Sequence, residues 1–279
     1  MKSVGDDRVA IADQRPRPPD TSPRTHPCGT LSRVDESAPL RVGSALPDPP
    51  FELDGTAQAG GAIGFDPAVM QEVCRRLGRE YVLVRYEADD FDGIFAGLDQ
   101  GSYDVVASGA TITAHRRTLA RFCRPHVRSG QSLVVDRRRH PDVRTVDDLA
   151  GGILGVQRGN TSEPVAEELA RAGRVAAVRH YAYHDILIAL DDVAAGRVDG
   201  FMKLEPVMRW LTRDRPGLAV VQTGITQEEI GVAVRRDDAE LADRLDGVLD
   251  ELRGDGTLAR LGREWLGTDA PGTTTAVLS

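Results

Sequence analysis

The sequence predicts an α/β fold in which mixed sheets are covered by helices, and three observations lead there. Short apolar runs alternate with helical patterns along most of the chain. At 279 residues it is long enough to bury two hydrophobic cores. The alternation then gives way, near the end, to two consecutive amphipathic helices. Such a rhythm favours parallel or mixed sheets whose ligands bind at the carboxyl ends of strands.

Taken in order, residues 1–38 interleave Pro16, Pro18, Pro19, Pro23 and Pro27 with Arg, Asp, Ser and Thr. That mixture buries too little apolar surface to offset ordering entropy, so the stretch reads as a flexible leader. Order begins at the alternating strand Leu40-Arg41-Val42-Gly43. Further strands are expected over 81–86, 104–108, 132–135, 153–157, 176–181 and 198–202. Between them helices are expected over 66–77, 91–100, 114–120, 162–172, 185–195 and 205–212. The closing pair, 239–253 and 257–266, is joined at Gly254-Asp255-Gly256, and the Thr-rich stretch 268–279 reads as a flexible tail.

Composition narrows the function classes. With 41% hydrophobic and 28% charged residues the chain suits a globular protein. A net charge of −8 disfavours nucleic acid as a partner, because phosphate binding needs a clustered excess of Lys and Arg. The basic run Arg137-Arg138-Arg139 follows an apolar strand and precedes His140-Pro141, the setting of a solvated turn. No stretch approaches the roughly 20 apolar residues of a transmembrane helix. Residues 1–38 show neither the apolar segment of a secretory signal nor a lipoprotein-type run before Cys28. Cys28, Cys74 and Cys123 lack Cys-x-x-Cys spacing, so neither a disulfide framework nor a zinc knuckle is expected. Cys74 shares a helical face with Met70, Val73 and Leu77, which suits a buried apolar role. Without a dinucleotide fingerprint, P-loop or nucleophile elbow, no cofactor is expected.

The chemistry concentrates where a buried strand, Asp104-Val105-Val106-Ala107-Ser108, passes through Gly109-Ala110-Thr111-Ile112 into a helix start at Thr113-Ala114-His115-Arg116. Thr113 is placed to cap that helix, whose free N–H groups favour an anion. The Arg116 guanidinium offers paired coplanar donors that match both oxygens of a carboxylate, with the Thr111 hydroxyl and the Gly109 N–H filling the remaining lone pairs. A second helix start lies at Arg158-Gly159-Asn160-Thr161-Ser162-Glu163-Pro164, where Asn160 and Glu163 have capping-box spacing. His115 and His126 flank the Arg116 segment. His180 and His184 stand four apart with no third ligand of matching spacing, so no metal is expected.

The chain resembles family 3 extracellular solute-binding proteins, the polar amino-acid receptors of ABC importers, through an ordered set of motifs. These are Pro50-Phe51-Glu52, Gly64-Phe65-Asp66, Phe91-Asp92-Gly93-Ile94, Tyr103-Asp104-Val105, Thr111-Ile112-Thr113 with Arg116, Arg128-Ser129-Gly130, Gly159-Asn160-Thr161-Ser162-Glu163, Gly196-Arg197-Val198-Asp199 and Asp255-Gly256-Thr257. The resemblance implies a type II periplasmic-binding-protein fold, two lobes joined by two strands that hinge shut on ligand. Lobe 1 would combine 39–129 with 223–267, lobe 2 would span 130–222, and the crossings would fall near 128–131 and 221–224. Carried over by position, Gly109, Thr111 and Arg116 would hold the ligand carboxylate, Thr161 would meet it from lobe 2, and Phe91 would wall the cleft, with Phe51 lining the ligand as well.

At the other end of the ligand the family usually places an aromatic in the first loop and an Asp after the Gly-Arg-Val-Asp strand. Here those positions hold Asp48 and Leu204, and Ala45 stands where an early acidic residue is common. An α-ammonium would lack its usual partners unless Asp48 or Glu205 substitutes, and burying it unpaired is costly. The resemblance implies a monomeric, extracytoplasmic protein that binds a small carboxylate-bearing solute and delivers it to an ABC permease. An alternative is an enzyme on the same scaffold, similar in kind to cyclohexadienyl or prephenate dehydratases, with Glu205, Lys203 and His115 as proton carriers; Val207 stands where their acidic residue is expected. A third is a cytoplasmic or tethered sensor lobe that passes closure to a partner protein, a location the missing export signal leaves open.

Overall fold

The computed structural model describes residues 38–267 and 276–277. Two sheets organise them. The first runs in the order Tyr81–Arg85, Leu40–Ser44, Val105–Val106, Ala233–Val234 and Arg121–Phe122. Its first three strands are parallel, and Ala233–Val234 is antiparallel to both neighbours. The second runs Ala177–Tyr181, Ile153–Gln157, Gly200–Leu204, Gln131–Asp136 and Leu218–Gln222. Here too the first three are parallel, and Gln131–Asp136 is antiparallel to both neighbours.

Every residue of Gln131–Asp136 and Gly200–Leu204 is buried, as befits central strands covered on both faces. Ser162–Arg171, Ile186–Ala195 and Glu205–Thr212 supply the cover. Around the first sheet, Phe65–Leu77 packs with the closing helices Ala239–Gly254 and Thr257–Leu266. Their facing side chains, including Val69, Met70, Val73, Leu245, Leu249 and Leu258, are almost fully buried. The sheets therefore centre two lobes, each with its own helical cladding.

The chain passes between the lobes twice, side by side. Val127–Ser129 leads through Gly130 into Gln131–Asp136, and Leu218–Gln222 returns to Glu228–Ile230, which pairs antiparallel with Val127–Ser129. Gly130 permits this closeness, because a Cβ there would stand 2.2 Å from the Thr226 carbonyl oxygen.

Some elements differ from the sequence reading. The helix expected over 91–100 is a 3-10 turn, Asp92–Phe95, followed by the single helical turn Ala96–Asp99. Its two glycines weaken a regular helix, and Gly97 leaves room for the Tyr103 ring, which a Cβ would meet at 2.3 Å. The helix expected over 114–120 shrinks to Arg116–Leu119, because Ala120 turns extended to enter the strand Arg121–Phe122. Cys74 and Cys123 are buried free thiols whose pKa values burial pushes up, to about 11 and about 12. Cys28 and the 1–38 leader, apart from Ala38, lie outside the described residues, as does most of the 268–279 tail. Of that tail, Ala276–Val277 pairs antiparallel with Val127–Ser129. No described helix is long and apolar enough to cross a membrane.

Candidate functional site

Arg116 lies where the lobes meet, 3% exposed. Its Nε donates to Asp92 Oδ1 at 2.8 Å, Nη1 to the Thr111 carbonyl at 3.1 Å, and Nη2 to the Gly159 carbonyl of the second lobe at 2.9 Å. Its guanidinium carbon stands 4.8 Å from the centre of the Phe91 ring, a cation–π contact. These bonds leave one N–H on each terminal nitrogen for a further acceptor. The single-turn helix that begins here gives little of the anion field expected of a helix N-terminus, which needs several aligned peptide units. Thr113 does cap the Arg116 N–H, at 3.0 Å, but the positive charge is the guanidinium's own.

Gly159 lets the second lobe come this close. Its φ is +71°, and a Cβ there would fall 2.4 Å from Asp90 Oδ1 and 2.6 Å from the Phe91 nitrogen. Beside it Glu163 reaches back to the Gly159 N–H at 2.8 Å, so the expected Asn160–Glu163 capping box is replaced by a bond one residue earlier. Tyr183, from the second lobe, closes over Phe91 with ring centres 5.2 Å apart, and its N–H donates to the Asp89 carbonyl at 2.9 Å. Phe91 is thus an apolar wall shared by both lobes.

The other donors of the expected clamp are held by the protein's own carboxylates. The Gly109 N–H donates to Asp66 Oδ2 at 2.6 Å. The Thr111 hydroxyl donates to Glu228 Oε2 at 2.7 Å, and the Thr161 hydroxyl donates to the same oxygen at 2.8 Å. Glu228 Oε1 accepts from Gln131 Nε2 at 2.9 Å and from the Thr226 hydroxyl at 2.7 Å. Glu228 sits on the returning crossing strand, so its side chain ties both lobes to the hinge.

A second polar group lies on the same interface. Lys203 Nζ, 2% exposed at its side chain, stands 3.1 Å from Asp48 Oδ1, an ion pair whose angles fall short of a hydrogen bond. Nζ also lies 5.1 Å from the Tyr183 ring centre. Nearby Glu52, fully buried, accepts from the Ser108 hydroxyl at 2.5 Å on one oxygen and has no partner on the other. Burial, then the Asp66 and Asp48 charges, holds the Glu52 carboxyl well above its ordinary 4.5. Burial also lifts Asp48 above its ordinary value, against the pull of Lys203. Buried polar atoms without partners are costly and point to a missing polar complement.

Other sequence candidates fall elsewhere. Phe51 is fully buried beneath Gly109 and edge-on to Phe65, within the apolar core. Leu204 belongs to the same apolar core. Glu205 is paired with Arg209 on its own helix at 2.7 Å, and His115 is mostly exposed. His126 is buried, 3.4 Å from Asp66 and stacked on Phe65. His180 lies on a strand and His184 in a 3-10 turn, so the two share no helical face.

Two recesses flank the interface. One, of about 660 Å³, lies on the hinge side between Ile112, Ser129, Gly224 and Glu228. The other, of about 410 Å³, lies at the mouth between Leu46, Tyr86, Tyr183 and His184. Neither is lined by Arg116, Phe91 or Lys203; chemistry rather than volume marks the site, because the lobes are shut upon it. The sequence reading missed Glu228, Tyr183, Asp92 and Gln131. Asp92 lies within the motif Phe91-Asp92-Gly93-Ile94, and an acidic residue in that motif is the available signal.

Comparisons with known proteins bear on the family and the fold. Residues 40–268 match the profile of the bacterial extracellular solute-binding proteins, family 3. The L-cystine-binding protein TcyJ of Escherichia coli is 29% identical over 242 residues, 86% of this chain and 87% of that protein. The lysine/arginine/ornithine-binding periplasmic protein of the same organism is 29% identical over 81% of this chain and 86% of its own. Among solved structures, an ancestral arginine-binding protein bound to arginine superposes with a TM-score of 0.73 at 30% identity, covering 82% of this chain and 98% of that one. An ancestral amino-acid-binding protein, a precursor of cyclohexadienyl dehydratase, gives 0.72 at 28% identity, covering 83% and 96%. With a match that spans nearly all of the described residues, the chain belongs to the bacterial extracellular solute-binding proteins, family 3.

Proposed function

We propose that this protein captures a small carboxylate-bearing solute of the amino-acid type between its lobes and hands it to an ABC permease outside the cytoplasm. One observation carries the reading: a buried guanidinium, bonded to both lobes and set over an aromatic ring, keeps an N–H on each terminal nitrogen for a carboxylate. The polar atoms of Lys203, Asp48 and Glu52 that lack full hydrogen bonding supply both signs for the rest of the solute. Asp48 and Glu52 thereby offer an ammonium the acceptors that Ala45 and Leu204 do not. Entry requires the lobes to part, and the bond Arg116 donates to the Gly159 carbonyl reforms on closure.

The lyase alternative is less well supported. Of its three proton carriers only Lys203 lies at the interface, whereas Glu205 is tied to Arg209 and His115 is mostly exposed. A thermal-shift panel of amino and organic acids tests the binding reading. At least one member should raise Tm, by about 2.7 kcal/mol of linkage at a hundredfold excess over Kd. Arg116→Ala should abolish that shift; a variant that binds the same solute equally well refutes the assignment.

A further inference from the structure

On the second lobe, behind the turn that carries Gly159, three part-exposed side chains with metal-binding chemistry meet. Glu163 and Glu167 lie one turn apart on the helix Ser162–Arg171, and His180 projects from the edge strand Ala177–Tyr181 beside it. Their Oε1 atoms stand 3.3 Å and 3.4 Å from His180 Nε2, and one donor from each residue lies within 4.8 Å of the others. These spacings are long for charged hydrogen bonds, which run at about 2.7–2.9 Å. They suit donors around one ion: a first-row divalent metal holds N and O ligands at about 2.0–2.2 Å, which separates neighbouring ligands by about 3–3.5 Å. We propose that Glu163, Glu167 and His180 form a site for a divalent transition-metal ion, zinc foremost, with water in the open positions.

The donor set selects the metal. One imidazole with two carboxylates suits zinc and its neighbours, whereas magnesium and calcium prefer shells built of oxygen alone. All three side chains are part-exposed, at 25%, 50% and 30% for Glu163, Glu167 and His180, so an ion can enter without unfolding the lobe. The second oxygen of Glu163 holds the Gly159 N–H. A metal on its first oxygen would therefore stiffen the turn that carries Gly159 and Thr161 into the cleft. Sequence spacing hides the site, because it pairs a helix with the strand that follows.

The test is calorimetric titration of the full chain, stripped with EDTA, with zinc chloride alone. One ion per chain is expected, bound at least about tenfold more weakly in His180→Ala and in Glu167→Gln, since even outer-shell changes at metal sites cost about 10–100-fold. Melting temperatures in EDTA, expected to match wild type, separate this loss from misfolding, and Glu167→Gln keeps the side-chain shape. No uptake by the wild type overturns the proposal. So does zinc binding that survives His180→Ala and Glu167→Gln combined in one chain.

Discussion

Replacing Gly159 with alanine tests the lobe contact with a single methyl group. In the closed structure that methyl would lie 2.6 Å from the Phe91 nitrogen and 2.8 Å from the Asp92 nitrogen, both backbone atoms that cannot swing aside. The left-handed backbone at φ +71° adds about 1 kcal/mol whether the lobes are apart or together, lowering Tm by roughly 2–4 °C. The clash belongs to the closed state alone, and overpacking of this kind costs about 1–3 kcal/mol. Ligand affinity should accordingly fall about 5- to 140-fold, at 1.4 kcal/mol per decade. Calorimetry with a solute from the thermal-shift panel reads the affinity, and small-angle scattering with and without it reads the closure. An unchanged Kd with only the small Tm loss would mean that the ligand-bound state does not bring Gly159 against Phe91, and the site as drawn would be wrong.

The buried ionic groups give two stability predictions. Lys203→Met leaves Asp48 buried without a cation and should cost about 3–5 kcal/mol in urea unfolding, while adding Asp48→Leu should restore most of it; a single-variant loss below about 1 kcal/mol contradicts the burial of the pair. Glu52 works in the opposite sense. Its folded pKa lies above the unfolded value, so the unfolded chain binds fewer protons between them, and the stability present below the ordinary 4.5 is lost as pH rises through the folded pKa. Glu52→Gln, which can still accept from Ser108, should match wild type near pH 4 and exceed it increasingly as pH rises, by up to about 1.4 kcal/mol per pH unit across that window. Parallel melts of the two proteins from about pH 4 to 8 read this directly, and curves that never diverge refute a Glu52 carboxyl held above its ordinary pKa.

Much of the fold is written in local patterns. Val42, Val105, Leu133 and Val156 lie in short apolar runs whose length and flanking turns mark strands, and the closing helices show their period plainly. Where glycines break a pattern, as at Gly93 and Gly97, the periodic reading overshoots, because propensity and a neighbouring ring decide the local geometry. Arg116 is legible because a strand, a glycine turn and a cap converge on it within a dozen residues. Glu228 is not. Its surroundings, Thr226-Gln227-Glu228-Glu229, read as a solvated polar turn, and its burial depends on Thr111 and Thr161, which lie 117 and 67 residues away. Tyr183 is hidden for the same reason, since only the docking of one lobe on the other places its ring against Phe91.

The position of Glu228 changes what the clamp can be. Two hydroxyls from opposite lobes converge on one of its oxygens, the arrangement the sequence would have reserved for a bound solute. A solute carboxylate that took those donors would have to displace a buried glutamate that already satisfies them, an exchange of like for like with little net gain. The spare N–H groups of Arg116 differ, because an acceptor there adds charge-assisted bonds worth about 1.5–3 kcal/mol each without breaking any. Lys203 differs likewise, since its ammonium falls short of hydrogen-bonding geometry even toward Asp48. Recognition should therefore rest on these two cations from the two lobes, with Thr111 and Thr161 spent on holding the hinge strand. On the binding reading proposed above, the solute would set its acidic oxygens toward Arg116 and Lys203, two cations that closing the lobes desolvates together.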